Sequence, residues 1–544
     1  MRKLFVSLLI AATASANEVS YRSLQSGRAF GGTPLHDRGL HGEGQIVAVL
    51  DTGLDYTSCY FAEPDGSRPP INTRISGRNV DLSRRKVVAY NFLYSCDEYP
   101  GAPGCDDPSR PGALDNQGHG THAAGAIAGD QRTPIAHDYG DAIATGARLI
   151  IQDAGFIGGD NCSQRPGIGC PVNLTPILTQ AYEQGARIHS NSWGDRQQTP
   201  PPVGPPTANY PASARDLDAF VYTHPEMLVV FNTGNYSGGC CFAPPGSLSA
   251  PGSAKNTLQV GGTRTFYGAT DDVLSSFTLI GPTRDGRIKP DVVGPAYVVA
   301  ADARVVVNND CGVTSQPGTS WASPTVAGAA ALVRQYYTDG FYPSGIATPG
   351  HGFTPSAALV KATVIASARA VPMRMATSGE TVAARPVPSY EQGFGFPVLD
   401  DALYFPGDRI GLRVFDVTGG IAEGQTSTLR INVRAGTTLK AILDWTDPPG
   451  TAVPWSDTTP QLVNDLDLTV TAPAGGRLFG NETLHPGTPD RVNNVEGVII
   501  DAPESGTYTI TVSANRIRFG ARQSYALVIT GDLAEAPARR RAAR

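Results

Sequence analysis

Lysine, methionine and tryptophan are scarce in this chain of 544 residues. It contains 6 Lys, 4 Met and 4 Trp, and charged residues make up only 17% of it. With 40% hydrophobic residues, this low charge excludes a disordered polyelectrolyte. The 43 basic residues are outnumbered by 49 acidic ones, a net charge of −6, so the chain lacks the basic excess of a nucleic-acid-binding protein.

Long hydrophobic runs are also lacking. The chain starts with two basic residues, an apolar run over 4–12 and the small residues Ala14, Ser15 and Ala16, which predicts a secretory signal peptide over 1–16. That run is too short for the alternative, a membrane anchor, and no later stretch reaches about 18 apolar residues. We therefore expect a secreted protein with no membrane partner, extracellular or, in a Gram-negative cell, periplasmic.

The cysteines lack the spacing of a metal site. There are eight of them, with no C-x-x-C pair and no Cys/His cluster, which argues against structural zinc. An even number in an exported chain predicts disulfides, although eight cysteines allow 105 pairings. Cys96 with Cys105, and Cys162 with Cys170, are close enough in sequence to close local loops.

Between about residues 40 and 340, short apolar runs alternate with helical stretches rich in small residues. The predicted strands are 45–50, 148–152, 227–231 and 257–260, and the predicted helices are 176–185 and 321–337. Alternating strands and helices with continuous apolar strands predict an α/β domain around a buried parallel sheet. Two segments rich in Pro, Gly, Asp and Cys, 60–115 and 155–172, are predicted to be surface loops.

The pattern of apolar and polar residues changes after about residue 405. Short alternating runs separated by turn residues predict an antiparallel β-sandwich or barrel. The predicted strands are 428–433, 439–445, 467–471, 497–500, 507–512 and 524–529. The predicted domains are a signal peptide (1–16), an α/β domain (17–404), a β-sandwich (405–533) and a disordered basic tail (534–544) with four arginines.

Three short segments carry residue types suited to hydrolysis. Asp51 ends an apolar strand in VAVLDTGLD, His119 lies in GHGTHAAGAIAG, and Ser320 begins an apolar helix in PGTSWASPTVAG. Each has an ordinary reading on its own, as a turn residue, a stray metal pair or a helix cap. Together they supply the orienting carboxylate, the base and the nucleophile that amide hydrolysis requires.

The order Asp, His, Ser and these three motifs resemble the subtilisin family of serine endopeptidases, because other serine hydrolases use other orders. The resemblance implies an α/β fold in which Asp51 orients His119, His119 acts as base and then acid, and Ser320 forms the acyl-enzyme. The resemblance gives His122 no catalytic role, so we expect it to be a packed residue of the helix. A lipase or esterase is disfavoured because Ser320 stands in GTSWA and not in G-x-S-x-G.

Three further segments resemble family segments around the substrate. The segment 230–238 (VFNTGNYSG) implies that Asn235 donates to the oxyanion, against the alternatives of a plain turn or a glycosylation sequon. HSNSWG at 189–194 and SAPGSAK at 249–255 imply a pocket for the residue before the scissile bond. The implied binding residues are Ser192, Trp193, Gly194, Ser249 and Gly252. Because no acidic residue is evident in these segments, we expect a preference for apolar side chains.

The resemblance extends to the oxidatively stable alkaline subtilases with a C-terminal β-barrel domain, which bind calcium there. Asp447, Asp465 and Asp467 are plausible oxygen ligands for structural calcium. The alternative is that they are solubilising charges of turns and edge strands. The resemblance implies no cofactor for catalysis, and we expect a monomer that acts on polypeptides.

Three functions remain open from the sequence. The first is a broad endopeptidase, which would digest casein. The second is a maturation protease dedicated to one precursor, with the segments 60–115 and 155–172 restricting access. The third is a binding protein that kept the fold but lost catalysis, which would not react with a sulfonyl fluoride.

Overall fold

The computed structural model describes residues 17–101, 105, 114–115, 117–131, 139–155, 173–194, 209–236, 242–264, 273–303, 311–453 and 457–534. Up to residue 403, a mostly parallel sheet is flanked by helices. From residue 411 onward, two antiparallel sheets follow. This α/β architecture with a C-terminal antiparallel part is the predicted fold class.

The strands of the first part are short, and the central ones are almost completely buried. In chain order they are β1 Ile46–Asp51, β2 Ile71–Asn72, β3 Val87–Phe92, β4 Arg148–Asp153, β5 Ile188–Asn191, β6 Leu228–Asn232, β7 Leu258–Arg264, β8 Val273–Leu274, β9 Val292–Pro295, β10 Tyr297–Ala301, β11 Val313–Pro317, β12 Ala368–Arg369, β13 Met373–Met375, β14 Thr381–Ala383 and β15 Phe396–Pro397. All four predicted strands are present. However, β2 and β3 lie inside the segment 60–115, so the prediction of a continuous surface loop there is wrong.

The central sheet has the order β14-β13-β8-β7-β6-β5-β1-β4-β3-β2, with β9 also paired to β7. The strands from β2 to β7 along this order run parallel. In the register of β1, Asp51 lies opposite Asp153 of β4, and Leu50 lies opposite Asn191 of β5. Parallel strands bring their carboxyl ends to one edge, which is where such sheets bind ligands.

Helices cover this sheet and connect its strands. In the described ranges they are α1 Asn17–Ser26, α2 His119–Ala128, α3 Leu174–Glu183, α4 Ala212–Thr223, α5 Thr319–Thr338 and α6 Ala357–Ala366, with 3-10 turns at His36–Arg38 and Leu399–Asp401. Both predicted helices are present, as α3 and α5. In the described ranges, no helix is both long enough and apolar enough to cross a bilayer.

Two disulfides are formed among the described residues. Cys96 bonds with Cys105, which confirms that predicted local pair, and Cys59 bonds with Cys311 across 252 residues of chain. Cys311 precedes β11, which pairs with β10 and leads into α5. The predicted pair of Cys162 and Cys170 lies outside the described residues.

Two antiparallel sheets form the C-terminal part. Their strands are β16 Gly411–Ile421, β17 Thr426–Val433, β18 Leu439–Asp444, β19 Asn464–Thr471, β20 Arg477–Phe479, β21 Val495–Ile500, β22 Gly506–Ile517, β23 Gln523–Gly531 and β24 Leu533–Ala534. One sheet has the order β16-β23-β18-β21 and the other β20-β19-β22-β17-β24. All six predicted strands are present, and their inward residues form a separate apolar cluster around Trp445.

Helix α6 joins the two parts. All ten of its residues are buried, because it contacts α5 and β6 on one side and the strands β18 and β23 on the other. Its side chains and Ile442 and Val528 belong to the same apolar cluster as the central sheet. The two parts of the chain therefore share a continuous core.

Candidate active site

The orienting carboxylate and the base meet at the carboxyl edge of the central sheet. Asp51 is the last residue of β1, and His119 is the first residue of α2. The Oδ1 of Asp51 lies 2.6 Å from Nδ1 of His119 and also accepts the backbone N–H of Thr52 at 2.8 Å. Because a carboxylate only accepts, Nδ1 carries the hydrogen, which leaves Nε2 of His119 free to take a proton.

A buried hydrogen-bond network holds the first turn of α2 in place. Asp115 accepts the backbone N–H of Thr121 at 2.8 Å and its hydroxyl at 2.7 Å. It also accepts the hydroxyl of Thr52 at 2.9 Å, and this hydroxyl in turn accepts the N–H of Gly120 at 2.8 Å. These acceptors satisfy N–H groups that a helix start leaves unpaired, and they fix the position of His119.

The electrostatics of this corner raise the pKa of the imidazole. Burial disfavours the imidazolium form of His119, but attraction and a hydrogen bond from Asp51, with a smaller contribution from Asp115, outweigh it. The pKa of His119 is therefore raised above 6.5. The pKa of the Asp115 carboxyl is also raised, chiefly by burial and in part by the nearby charge of Asp51.

The nucleophile lies in the first turn of α5. Ser320 is 8% exposed, and its hydroxyl donates to the carbonyl of Ser192 at 3.4 Å and accepts from Nδ2 of Asn232 at 3.5 Å. The hydroxyl of Ser192 donates to the Ser320 carbonyl at 2.8 Å. No hydrogen bond between Ser320 and His119 is found among the described residues. Trp321, the residue after Ser320, contacts His119 instead, with the two ring centroids 4.6 Å apart.

Asn235 lies beside the start of α5. Its Oδ1 accepts the backbone N–H of Thr319 at 2.9 Å and the Thr319 hydroxyl at 3.0 Å. These two bonds fix the amide, so its Nδ2 donor faces away from Thr319. Asn235 is exposed, unlike the buried Asn232 three residues earlier. This arrangement can offer a donor to an oxygen of a substrate held near Ser320.

The two segments predicted to bind substrate approach each other closely. A Cβ on Gly194 would lie 2.6 Å from the hydroxyl of Ser249, and a Cβ on Gly234 would lie 3.1 Å from it. The Ser249 hydroxyl donates to the carbonyl of Thr233 at 3.0 Å. The two glycines therefore pack directly against a polar but uncharged side chain.

The other two predicted binding residues face the interior. Trp193 is 7% exposed and packs edge-on against Phe231. A Cβ on Gly252 would lie 2.7 Å from Gln259 Nε2 and 2.9 Å from the Cβ of Phe231. The missing side chain of Gly252 thus permits close packing on the sheet, and direct substrate contacts of both residues stay a prediction.

The three predicted calcium ligands do not form one cluster. Asp447 forms a buried ion pair with Lys255, whereas Asp467 bonds with Arg491 and Asp465 accepts from Asn515 at 2.7 Å. No group of three or more His, Cys, Asp or Glu side chains in the described ranges is arranged to hold a metal ion. Cations and amides of the protein already occupy these carboxylates, so the trio does not fit the ion. Calcium binding by this protein stays a prediction without a site.

Three neighbours of the site were missed in the sequence. Asp115, Asn232 and Trp321 contact or support the base and the nucleophile. Asn232 could have been found as a polar residue that ends an apolar strand at the carboxyl edge of the sheet. Asp115 and Trp321 carry no such signal, because only the folded chain brings them to His119. His122 is buried, and its ring lies edge-on to Trp321.

Comparison with models of protein families shows to which family the chain belongs. The model of the subtilase family matches residues 42–395, which include the three segments with Asp51, His119 and Ser320. The chain belongs to the subtilase family. The resemblance derived from the sequence motifs is thereby confirmed.

Some similar proteins align with nearly the whole chain, including residues after 395. "Serine protease/ABC transporter B family protein tagA" of Dictyostelium discoideum is 26% identical over 94% of this chain, and the chain spans only 32% of that relative's length. "Subtilisin Savinase" of Lederbergia lenta is 27% identical over 55% of this chain and 80% of its own. The crystal structure of the serine protease of Aeromonas sobria is 16% identical, with a TM-score of 0.41, over 95% of this chain and 94% of its own.

Proposed function

We propose that this subtilase is a serine endopeptidase that cleaves polypeptides through Ser320, His119 and Asp51. The observation that carries the proposal is the 2.6 Å contact between Asp51 Oδ1 and His119 Nδ1 at the same sheet edge as the start of α5. That contact leaves Nε2 of His119 as the proton acceptor. Family membership supports the reaction class, and the geometry of the described residues supports the assignment of roles.

In the proposed reaction, the hydroxyl oxygen of Ser320 attacks the scissile carbonyl carbon while Nε2 of His119 takes its proton. The carbonyl oxygen becomes an oxyanion that the Asn235 amide stabilises. When the intermediate collapses, the C–N bond breaks and His119 returns the proton to the leaving amine. Water then repeats the sequence on the acyl-enzyme and releases Ser320.

The attack requires the Ser320 hydroxyl to exchange its present hydrogen bonds for one to His119. Its hydroxyl is engaged by the Ser192 carbonyl and Asn232 at 3.4 and 3.5 Å, which are long hydrogen bonds. Such bonds are easily exchanged for a bond to Nε2 of His119. Catalytic hydrogen bonds commonly tighten only when the substrate is bound.

Labelling with a sulfonyl fluoride tests this proposal. The wild-type protein is expected to lose activity irreversibly and to carry one adduct on Ser320, located by peptide mass spectrometry. Ser320→Ala should carry none and should lose activity by about 10³-fold or more. Ser356→Ala, which changes the cap serine of α6, is the matched control and should still be labelled. An adduct on another residue, or an active Ser320→Ala protein, would refute the proposal.

We further propose broad specificity with an apolar residue before the scissile bond. The support is that the residues where the two predicted substrate-binding segments meet, Gly194, Gly234 and Ser249, are small and uncharged. In a panel of peptide anilides, leucyl and phenylalanyl substrates should have higher kcat/KM values than the arginyl one. Highest activity on the arginyl anilide would contradict the specificity. Cleavage of one precursor but not of casein would favour a dedicated maturation protease instead.

Export is also a proposal. It is supported by the two disulfides, which form and persist in oxidising compartments. Expression of the chain with and without residues 1–16 in a bacterial host tests it. Active protein should leave the cytoplasm only with this segment, and the mature N-terminus should be Asn17. Equal retention of both proteins in the cytoplasm would overturn export.

A further inference from the structure

Trp321 carries a polar group whose role the proposed mechanism leaves open. It directly follows the nucleophile Ser320 in α5 and is only 3% exposed. Its indole Nε1 is buried and has no hydrogen-bond partner within the described part of the chain. A buried donor left unpaired costs about 1–3 kcal/mol of stability. Next to a nucleophile, this cost suggests that the N–H forms a hydrogen bond when substrate is bound.

The position of Nε1 can be located with respect to Gly318, which precedes α5. A Cβ built on Gly318 would lie 3.4 Å from Nε1 of Trp321 and 3.7 Å from Nδ2 of Asn235. Gly318 has no side chain, and this point is in van der Waals range of both nitrogens. Two N–H donors from distant parts of the chain therefore border the same small space, two residues before Ser320.

Both donors are held rigidly. The Asn235 amide is fixed through its Oδ1 by Thr319, and the Trp321 ring packs against two histidines of α2, with centroids 4.6 Å from His119 and 4.2 Å from His122. Donors fixed in advance stabilise developing charge without a cost of reorganisation. The indole N–H is thus suited to receive an oxygen rather than to rotate toward solvent.

We propose that the indole N–H of Trp321 is a second side-chain donor, beside Asn235, to the scissile carbonyl oxygen as it becomes negative. The inference rests on the proposed triad, because it needs Ser320 as the attacking group. The N–H donates a hydrogen bond and keeps its proton, so no further covalent step is added. Because the bond strengthens only in the transition state, it should raise kcat and leave KM nearly unchanged.

Two variants remove the N–H and keep an aromatic ring. Trp321→Phe is the simple one, and Trp321→3-benzothienylalanine replaces N–H by sulfur in a ring of almost the same shape. Each is expected to lower kcat about 10- to 100-fold, with KM within about twofold of wild type. The isosteric variant keeps the ring contact with His119, so its loss cannot be assigned to a displaced base.

Trp445→Phe is the matched control. Trp445 is fully buried in the C-terminal part, and its Nε1 donates to the carbonyl of Asn464 at 3.0 Å. This variant should have a lower melting temperature and an unchanged kcat. Trp321→Phe loses no such bond, so its kcat should fall in a protein that stays folded.

Labelling separates this inference from the function on which it rests. If the wild type forms no sulfonyl adduct at Ser320, the proposed triad fails. If both Trp321 variants are labelled at Ser320 and retain wild-type kcat, the donor role is overturned and the triad stands. A change in KM alone would also overturn it, because that result indicates a contact made equally in the ground state.

Discussion

Lys255 and Asp447 form an ion pair in which neither side chain is exposed, between the α/β part and the C-terminal part of the chain. The ammonium also donates to the carbonyls of Pro448 and Gln461 at 2.6 and 2.8 Å. The carboxylate accepts backbone N–H groups, among them that of Asn464 at 2.7 Å. Both charges are thus satisfied, and the pair anchors the C-terminal part to the segment that contains Ser249.

Removing one partner of this pair should be costly. Lys255→Met leaves Asp447 as a buried unpaired charge, and we expect unfolding to become about 3–5 kcal/mol easier, measured by denaturant titration of the full chain. The double variant Lys255→Met with Asp447→Asn should recover part of the loss, because the neutral amide removes the unpaired charge and its oxygen still accepts a backbone N–H. Arg215→Met, which breaks an exposed pair with Asp216, should change stability by less than about 1 kcal/mol. Equal effects of the two single changes would contradict the anchoring role.

The pH dependence of activity should report His119. Activity needs neutral His119, so kcat/KM should fall as the pH is lowered through its pKa. Because Asp51 and Asp115 raise that pKa, the midpoint of the acid limb should lie above 6.5. The measurement is kcat/KM from pH 5 to 9 on an uncharged substrate. A midpoint below 6.5 would show that burial outweighs the two carboxylates.

Asp115→Asn should affect catalysis without removing a triad member. An amide has a single oxygen, so it cannot accept from Thr121, as Oδ2 does, and also from the Thr52 hydroxyl, as Oδ1 does, and the first turn of α2 and His119 should shift. We expect kcat to fall about 10- to 100-fold and the acid-limb midpoint to move down, since one negative charge is lost. A lower melting temperature with unchanged kcat and midpoint would assign Asp115 a purely structural role.

The Cys59–Cys311 disulfide should stabilise the protein more than Cys96–Cys105. The two bonds close loops with sequence separations of 252 and 9. A disulfide that closes a longer loop removes more conformational entropy from the unfolded chain and so stabilises the folded state more. The paired Ser variants at 59 and 311 should cost about 2–4 kcal/mol, and those at 96 and 105 less. Calorimetry on sulfonyl-inhibited protein avoids self-digestion. A larger loss for the shorter loop would contradict the entropic argument.

Stability should rise between about pH 8 and 10. Burial lowers the pKa of Lys86 to about 8, only partly opposed by Asp130. An unfolded lysine titrates near 10.4, so in this window the unfolded chain holds more protons, and raising the pH favours the folded state. Lys86 alone should contribute at most about 3 kcal/mol, at 1.4 per pKa unit, and the buried Lys289 and Lys440, whose pKa values are also lowered to about 8, add to the gain. Urea titrations should show it in wild type and a smaller gain in Lys86→Met. Identical pH curves would refute the assignment.

The elements most accurately predicted were those with a strong local signal. The apolar run before Asp51 and the long stretch around Trp321 match β1 and α5 within two residues at each end. In contrast, α6 is buried on all sides between two sheets and has apolar residues around its whole circumference, with only Lys361 and Thr363 polar, so it lacks the 3.6-residue periodicity that reveals a helix. The strand β3 was hidden in a segment whose composition is typical of loops.

The α/β class, the family and the residue types of a hydrolytic site can be derived from the amino-acid sequence alone. These depend on short motifs and on local periodicity. The groups that support that site become evident only in the folded chain. Asn232 reaches the nucleophile because parallel strands end at one edge. Asp115 supports the base through its hydrogen bonds to Thr52 and Thr121, and Trp321 lies near Asn235 because both border Gly318 at the start of α5. The fold also assigns Asp447 to an ion pair with Lys255, because a buried charge takes the partner that folding brings to it.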